Sequence, residues 1–375
     1  MKIAIVGCGF VADLYAATLD IHSNLELTGV TDRDPERAVK FGSLYRARAY
    51  RDLDELLADD QIEIVLNLTN PESHFAVSRA ALEAGKHVYS EKPLAMSMQD
   101  AISLSELAER KKLRLSGAPC SVLSESAQTM WRALRLNKVG KVRLVYAELD
   151  DGMLHKMPYE SWRRPSGVPW PYRSEFEVGC TLEHAGYTVT WLTAFFGPAK
   201  TVTAFSSVQV PDKRPGEDIR SAPDFSVACI QFASGVVARL TCSILAPRDH
   251  SIRVIGDDGI LSVRDSWFYR EPVSLRSWWT IRRRTFLSPI AHRCPLLRSP
   301  YPAPKRRSSA QMDYLSGVQE LADSIEEDRS SRLAPDFCLH TTEIVLAIHN
   351  ALQTGTSHIP TTTFAPMDPM DWAKI

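Results

Sequence analysis

Lys2-Ile3-Ala4-Ile5-Val6-Gly7-Cys8-Gly9-Phe10-Val11-Ala12 opens the chain with a short apolar run, a glycine turn and the start of a helical pattern. In such a turn the first glycine permits a sharp exit from a strand and the second lets the main chain approach a pyrophosphate. A small third residue lets the following helix pack closely on the sheet. Gly7, Gly9 and Ala12 fill those places, with Phe10 and Val11 between them. Exposed N–H groups and the positive end of the next helix then favour a diphosphate lying over residues 7–12. The glycine pattern alone is common; its position after a strand and before a helix makes it a dinucleotide-binding expectation.

Working outward, an acidic residue is expected at the end of the second strand, where it accepts from ribose hydroxyls. Asp32 supplies it, which favours NAD. Arg33 beside it can stack on adenine or meet a 2′-phosphate, so NADP stays open; a solvated loop residue is the plainer reading. Apolar runs recur at Ile3–Val6, Leu25–Val30, Ile64–Leu68, His87–Tyr89 and Leu113–Leu115, alternating with helical patterns. That alternation is the signature of βαβ units and a doubly wound parallel sheet over residues 1–119.

Beyond residue 120 the pattern changes to an amphipathic helix near Ser126–Leu136 followed by strands with short connections. Val142–Leu149, Thr201–Val210, Phe225–Phe232, Val236–Ile244, Ile252–Ile255 and Ile260–Val263 are the strand candidates, with turns at Ala233-Ser234-Gly235 and Asp257-Asp258-Gly259. Residues 120–375 therefore read as a second domain, an open, mainly antiparallel sheet with helices on one face. Residues 264–308 read as an irregular basic segment, carrying Trp267, Trp278, Trp279, Arg282-Arg283-Arg284 and Lys305-Arg306-Arg307. It suits an arm gripping a phosphorylated substrate, a patch for a membrane surface or nucleic acid, or an oligomer contact. Helices resume near Met312–Glu327 and Asp336–Gln353, and they can pack back near the first domain.

Composition narrows the function classes. The chain has 375 residues, enough for two cores, with 44% apolar and 24% charged residues and a formal net charge of −1. That balance fits a globular protein with a small ligand and no nucleic-acid partner. Seven scattered cysteines without a CxxC pair argue against a disulfide framework or a metal site and for a reducing, cytoplasmic setting. No apolar run reaches the roughly 18 residues of a membrane span.

Gly85-Lys86-His87-Val88-Tyr89-Ser90-Glu91-Lys92-Pro93-Leu94-Ala95 falls where the fifth strand reaches the carboxyl edge of the sheet, the edge at which open α/β sheets bind ligands. A desolvated Lys92 there could exchange a proton with a sugar hydroxyl at a lowered pKa. A surface ion pair is the bland alternative for Glu91-Lys92. Taken with the glycine turn, with Thr69-Asn70-Pro71-Glu72-Ser73-His74 and with Ala81-Leu82-Glu83-Ala84-Gly85, this segment resembles the glucose–fructose oxidoreductase/inositol dehydrogenase/rhizopine catabolism (Gfo/Idh/MocA) family over almost the whole chain. The resemblance implies that Thr69, Asn70, Pro71 and His74 lie along the cofactor, that Glu91 lies near the nicotinamide ribose, and that Lys92 is catalytic. It also implies a substrate site in the second domain and a homodimer or homotetramer.

Members of that family usually carry Asp-x-Gly-x-His at the start of a second-domain helix. The matching stretch is Glu177-Val178-Gly179-Cys180-Thr181-Leu182-Glu183-His184-Ala185-Gly186-Tyr187-Thr188. Anchored on Gly186, His184 stands at the aspartate and Thr188 at the histidine. Imidazole can serve as a base near neutrality and threonine cannot, so His184 with Lys92 is the expected acid/base pair, with Tyr187 and Glu183 in reserve. Thr188 falls one α-turn from His184 and can bond a substrate hydroxyl; a merely structural His184 is the alternative. Trp170, Tyr172 and Arg173 offer flat faces and planar donors for a sugar, or simply a rigid loop.

The leading expectation is an NAD(P)-dependent oxidoreductase transferring a hydride between nicotinamide and a secondary alcohol or ketone of a sugar, cyclitol or nucleotide sugar. The alternatives are a redox-neutral sugar hydrolase or epimerase that uses NAD transiently, and a catalytically silent dinucleotide-binding regulator.

Overall fold

The computed structural model describes residues 1–304 and 312–374. Its first sheet consists of β1 (Lys2–Val6), β2 (Glu26–Thr31), β3 (Arg48–Ala49), β4 (Ile64–Asn67), β5 (His87–Ser90) and β6 (Leu115–Gly117). All pairs are parallel, in the order β3-β2-β1-β4-β5-β6. The order reverses between β1 and β4, so the crevice over their carboxyl ends is the place for a ligand. Strands β1 and β4 are buried on both faces, which is why they read as unbroken apolar runs.

The connecting helices are α1 (Ala12–Ala16), α2 (Pro35–Tyr45), α3 (Leu53–Leu57), α4 (His74–Glu83) and α5 (Met98–Lys111). Asp34 caps α2 by accepting from the amides of Glu36 and Arg37, with Pro35 at the first helical position. Ser97 caps α5 by accepting from the Asp100 amide.

The second half begins with α6 (Glu125–Arg135) and β7 (Val142–Asp150), then α7 (Tyr172–Val178) and α8 (Gly186–Phe196). Strands β8 (Ala199–Ser207), β9 (Phe225–Phe232), β10 (Val237–Ser243), β11 (Ile252–Gly256) and β12 (Gly259–Val263) follow. The sheet runs β14-β13-β12-β11-β7-β10-β9-β8, and only the β10–β7 pair is parallel. Its outer members are β13 (Ser274–Ile281), β14 (Arg284–Leu287) and the short β15 (His292–Arg293). Residues 274–293 are therefore not irregular, as the sequence suggested, but a hairpin extension of the sheet. The two-residue turn Arg282-Arg283 lacks Gly or Asn, and Arg282 supplies the positive φ of 56°. A turn without its usual residues is invisible to composition. Lys305-Arg306-Arg307 lies outside the described residues.

Two final helices join the halves: α9 (Ser316–Glu326) packs on β5 and β6, and α10 (Pro335–His349) packs between α5 and α8, with the short α11 (Ala351–Thr354) after it. Gly317 on α9 lies so close to β5 that a Cβ there would collide with the Tyr89 hydroxyl. Buried His22, from the first half, meets Asp313 at 2.8 Å and Gln319 at 3.2 Å.

Gly7 holds the chain's sharpest exit. Its φ is +96°, and a Cβ there would stand 2.7 Å from the Leu68 carbonyl oxygen. Gly7→Ala is expected to cost about 1–3 kcal/mol of stability through backbone strain alone, with more from the collision; urea denaturation checks it. A stability equal to wild type would show that the turn tolerates a side chain.

Candidate active site

Two clusters meet at the carboxyl edge of the first sheet. The first is the glycine turn. Gly7 N–H donates to the Thr31 carbonyl at 2.9 Å, and Asp32 ties the turn to the end of β2. Its Oδ2 accepts from the Cys8 amide at 2.8 Å and its Oδ1 from the Asp34 amide at 2.9 Å. No atom stands within 4 Å of where a Gly9 Cβ would lie, and among the described residues the amides of Gly9, Phe10 and Val11 donate to nothing. An open approach lined by spare N–H donors fits a diphosphate. Helix α1 is only five residues long, so these amides rather than a long helix dipole carry the attraction.

A cleft of about 390 Å³ runs from the turn past Asp32, Arg33, Arg37, Arg51, Thr69, Asn70 and Ser73. Arg37 stands 3.5 Å from the Asp32 carboxylate. Arg37 and Arg51 were not found from the sequence, because nothing in the spacing marks which helix or loop arginines border the cleft. The Thr69–His74 loop is pinned by His74, which is buried with its ring nitrogens 2.7 Å from the Pro93 carbonyl and 3.1 Å from the Thr69 carbonyl. Burial holds the His74 pKa below its usual value, so the neutral ring donates to one of the two. Pro71 opens a short 3-10 turn ahead of α4.

The second cluster gathers on Lys92, whose peptide bond to Pro93 is cis. The ammonium meets Glu183 Oε2 at 2.6 Å, with side-chain exposures of 14% and 16%. Burial pushes the Lys92 pKa down, but the carboxylates of Glu183, Glu91 and Glu175 outweigh it and leave the pKa raised. The lowered pKa expected from desolvation alone is thereby corrected: Lys92 is held as an ammonium. Glu91, before it, is fixed by the Tyr15 hydroxyl at 2.7 Å and by the Lys92 amide at 3.1 Å.

His184 does not pair with Lys92. Its Nδ1 stands 2.9 Å from Asp151 Oδ2 and its Nε2 3.0 Å from Glu175 Oε1, as charge contacts rather than aligned hydrogen bonds. Burial would lower the His184 pKa, but the two carboxylates raise it well above its usual value. It is an imidazolium in a clamp, not a free base. Asp151 also accepts from His250 at 2.9 Å, and Trp267 lies against both imidazoles, with ring centroids 5.8 Å and 4.3 Å away.

The reason for the changed partner is local. Residues Thr181–Ala185 form one turn of π-helix, which inserts a residue relative to an α-turn and rotates everything before Gly186. Counted back from Gly186 through that turn, Glu183 stands beside the lysine and His184 faces Asp151 and Glu175. Thr188 is fully buried, and among the described residues its hydroxyl has no hydrogen-bond partner. Tyr187 is buried against Trp267, 5.0 Å between centroids, with its hydroxyl toward Tyr314.

Trp170, Tyr172 and Arg173 are engaged by neighbours within the second half of the chain. Trp170 packs on Tyr159 and Trp162, Tyr172 donates to Glu217, and Arg173 binds Glu177 and Glu217. Asp151, Glu175, His250 and Tyr15 were not found from the sequence. They lie far apart in the chain, and a lone acid, imidazole or phenol carries no motif.

Residues 1–118 match the family model described as the oxidoreductase family with an NAD-binding Rossmann fold, Gfo/Idh/MocA, and residues 127–262 match the Gfo/Idh/MocA C-terminal domain. The chain is 24% identical over 239 residues to trans-1,2-dihydrobenzene-1,2-diol dehydrogenase of Danio rerio, covering 64% of this chain and 66% of that one. It is 32% identical over 116 residues to UDP-N-acetylglucosamine 3-dehydrogenase of Acidithiobacillus ferrooxidans, covering 31% and 36%. A 3-ketoreductase from Actinomadura kijaniata, solved with NADP, superposes with a TM-score of 0.71 at 17% identity, covering 95% of this chain and 97% of that one.

Removing the imidazolium from its clamp leaves buried carboxylates uncompensated. His184→Ala is expected to cost about 3 kcal/mol in urea denaturation near pH 6. A raised folded pKa means that this contribution is fully present below the unfolded value of about 6.5 and fades as pH rises through the folded one. The deficit should accordingly narrow only at alkaline pH, and a deficit that is absent at pH 6 refutes the clamp.

Proposed function

The chain belongs to the Gfo/Idh/MocA oxidoreductase family, and we propose that it is an NAD(P)-dependent dehydrogenase or reductase acting on a secondary alcohol or ketone of a sugar, cyclitol or nucleotide sugar. The observation that carries this reading is the partly buried Lys92 ammonium, set at the carboxyl end of β5 and held at 2.6 Å by Glu183 from the other half of the chain. The dehydrogenase of Acidithiobacillus ferrooxidans supports the sugar class.

In this reading residues 1–119 hold the dinucleotide and residues 120–375 the substrate. Gly7, Gly9, Phe10, Val11 and Ala12 cradle the diphosphate, Asp32 and Arg33 face the adenosine ribose, and Glu91 lies by the nicotinamide ribose. When bound, the nicotinamide supplies the carbon that accepts or gives the hydride. Lys92 exchanges the proton at the substrate oxygen. Being held as an ammonium, it is ready to protonate the oxygen of a ketone undergoing reduction; for alcohol oxidation it must first lose its proton. Glu183 keeps the ammonium aimed, and the Tyr15–Glu91 bond fixes the backbone from which it projects. Three guanidiniums in the cleft, Arg33, Arg37 and Arg51, leave room for NADP as well as NAD.

Spectrophotometry at the reduced-nicotinamide band over a sugar and cyclitol panel, with both cofactors, is the direct test. Lys92→Ala should lower kcat by about 10²–10⁴-fold; full activity on an identified substrate would remove Lys92 from the chemistry. Glu183→Gln withdraws the leading charge that raises the Lys92 pKa. The alkaline limb of the ketone-reduction profile should therefore move to lower pH, and an unmoved limb would sever the two residues.

A further inference from the structure

Residues 162–170, in the second half of the chain, form a tight loop that ends against the glycine turn of the first. Arg163 bridges Pro169, the Arg164 amide donates to the Val168 carbonyl at 3.1 Å, and the Gly167 amide donates to the Arg164 carbonyl at 2.7 Å. Gly167 takes the positive φ of 84° that such a tip requires. The base is stiffened by Trp162 and Tyr159 against Trp170, with centroids 5.2 Å and 5.5 Å apart.

The tip is anchored on the other domain. Ser166 is buried, and both its hydroxyl and its amide donate to Asp13, the amide at 3.3 Å. Asp13 is 1% exposed and also accepts from the Tyr45 hydroxyl at 2.6 Å. With the tip fixed in this way, Arg164 lays its guanidinium 3.9 Å over the ring of Phe10, within the turn whose amides at Gly9, Phe10 and Val11 are spare. The guanidinium therefore lies on the diphosphate cradle itself.

Asp13 places a buried carboxylate one residue beyond the turn, and its partners among the described residues, Ser166 and Tyr45, are neutral. A diphosphate brought to that turn would be repelled by it unless a cation stood nearby. A planar guanidinium both supplies the cation and matches phosphate oxygens in pairs.

We propose that loop 162–170 is a clasp contributed by the substrate half of the chain, and that its Arg164 is a ligand of the cofactor's diphosphate. The proposal rests on the NAD(P)-binding reading above. It makes closure of the two halves and retention of the cofactor one event, because the same loop carries both the Asp13 anchor and the cation.

Titration of the full chain with NADH, followed by nicotinamide fluorescence, requires no knowledge of the substrate. Arg164→Ala should raise the NADH Kd roughly 10-fold to 100-fold, in line with a lost charge-assisted contact. Competition by ADP-ribose should weaken to a similar degree, since that molecule keeps the diphosphate and lacks nicotinamide. Arg164→Lys should fall between the two, and Ser166→Ala, which frees the tip, should raise the Kd more modestly. Thermal melting without cofactor guards against misfolding, because Arg164→Ala should keep its unliganded Tm while losing much of the shift that NADH produces. An NADH Kd within twofold of wild type in Arg164→Ala overturns the proposal. So does an ADP-ribose affinity that stays unchanged while NADH weakens, which would move Arg164 to the nicotinamide end. Failure of the wild-type chain to bind NADH would instead strike the dinucleotide reading itself.

Discussion

The Lys92–Glu183 ion pair joins the two halves of the molecule at the carboxyl edge of the first sheet. Taking an ammonium and a carboxylate out of water is expensive, and their attraction repays it only where the geometry is good and the neighbours are polar. Here the contact is 2.6 Å, and Glu91 and Glu175 add negative charge around the lysine. The positive countercharge for Glu175 comes from His184, which is itself balanced by Asp151, and Asp151 by His250. The interior therefore holds a run of alternating charge rather than isolated ions. Removing any one member exposes its neighbours to an uncompensated partner, which explains why acids and imidazoles from several elements converge on this place.

That charge run dictates backbone structure as well. Glu183 and His184 are adjacent in sequence yet face different partners, Lys92 for one and the Asp151–Glu175 pair for the other. The π turn at Thr181–Ala185 is where the helix accommodates this. Such turns are rare and tend to mark functional positions. Trp267, which the sequence left among an unexplained run of aromatics and arginines, packs on both imidazoles and on Tyr187. It walls the charge run on one side, and water excluded from there strengthens every interaction within it.

On the cofactor side the same economy of polar groups holds. Asp32 has both oxygens engaged by backbone amides of the turn and the following loop, so it shapes the crevice floor. The closing segments tie the parts together: buried His22 meets Asp313, α9 lies against β5 and β6, and α10 lies against elements of both halves. Position of the lysine relative to the glycine turn is thus set by packing from both ends of the chain.

The first sheet was legible from the chain because its signals are local. Short apolar runs, a glycine turn before a helix and an acid after the second strand all act within a few residues of one another, where steric and hydrogen-bond rules are strong. Glu91-Lys92-Pro93 at the sheet edge was legible for the same reason. The hairpin at residues 274–287 was not, since its turn carries arginines where Gly or Asn would have announced it. The partner of Lys92 was not legible either: a single inserted residue in one helical turn changes which side chain faces inward, and no periodicity survives it. Asp151, Glu175 and His250 take their places only through folding, because charges pair by distance in space and the chain separates these residues from their partners by many elements. Sequence alone determined the dinucleotide turn and the lysine at the sheet edge; the tertiary structure decided which charges surround that lysine, because only a packed interior makes an unpaired charge too costly to leave alone.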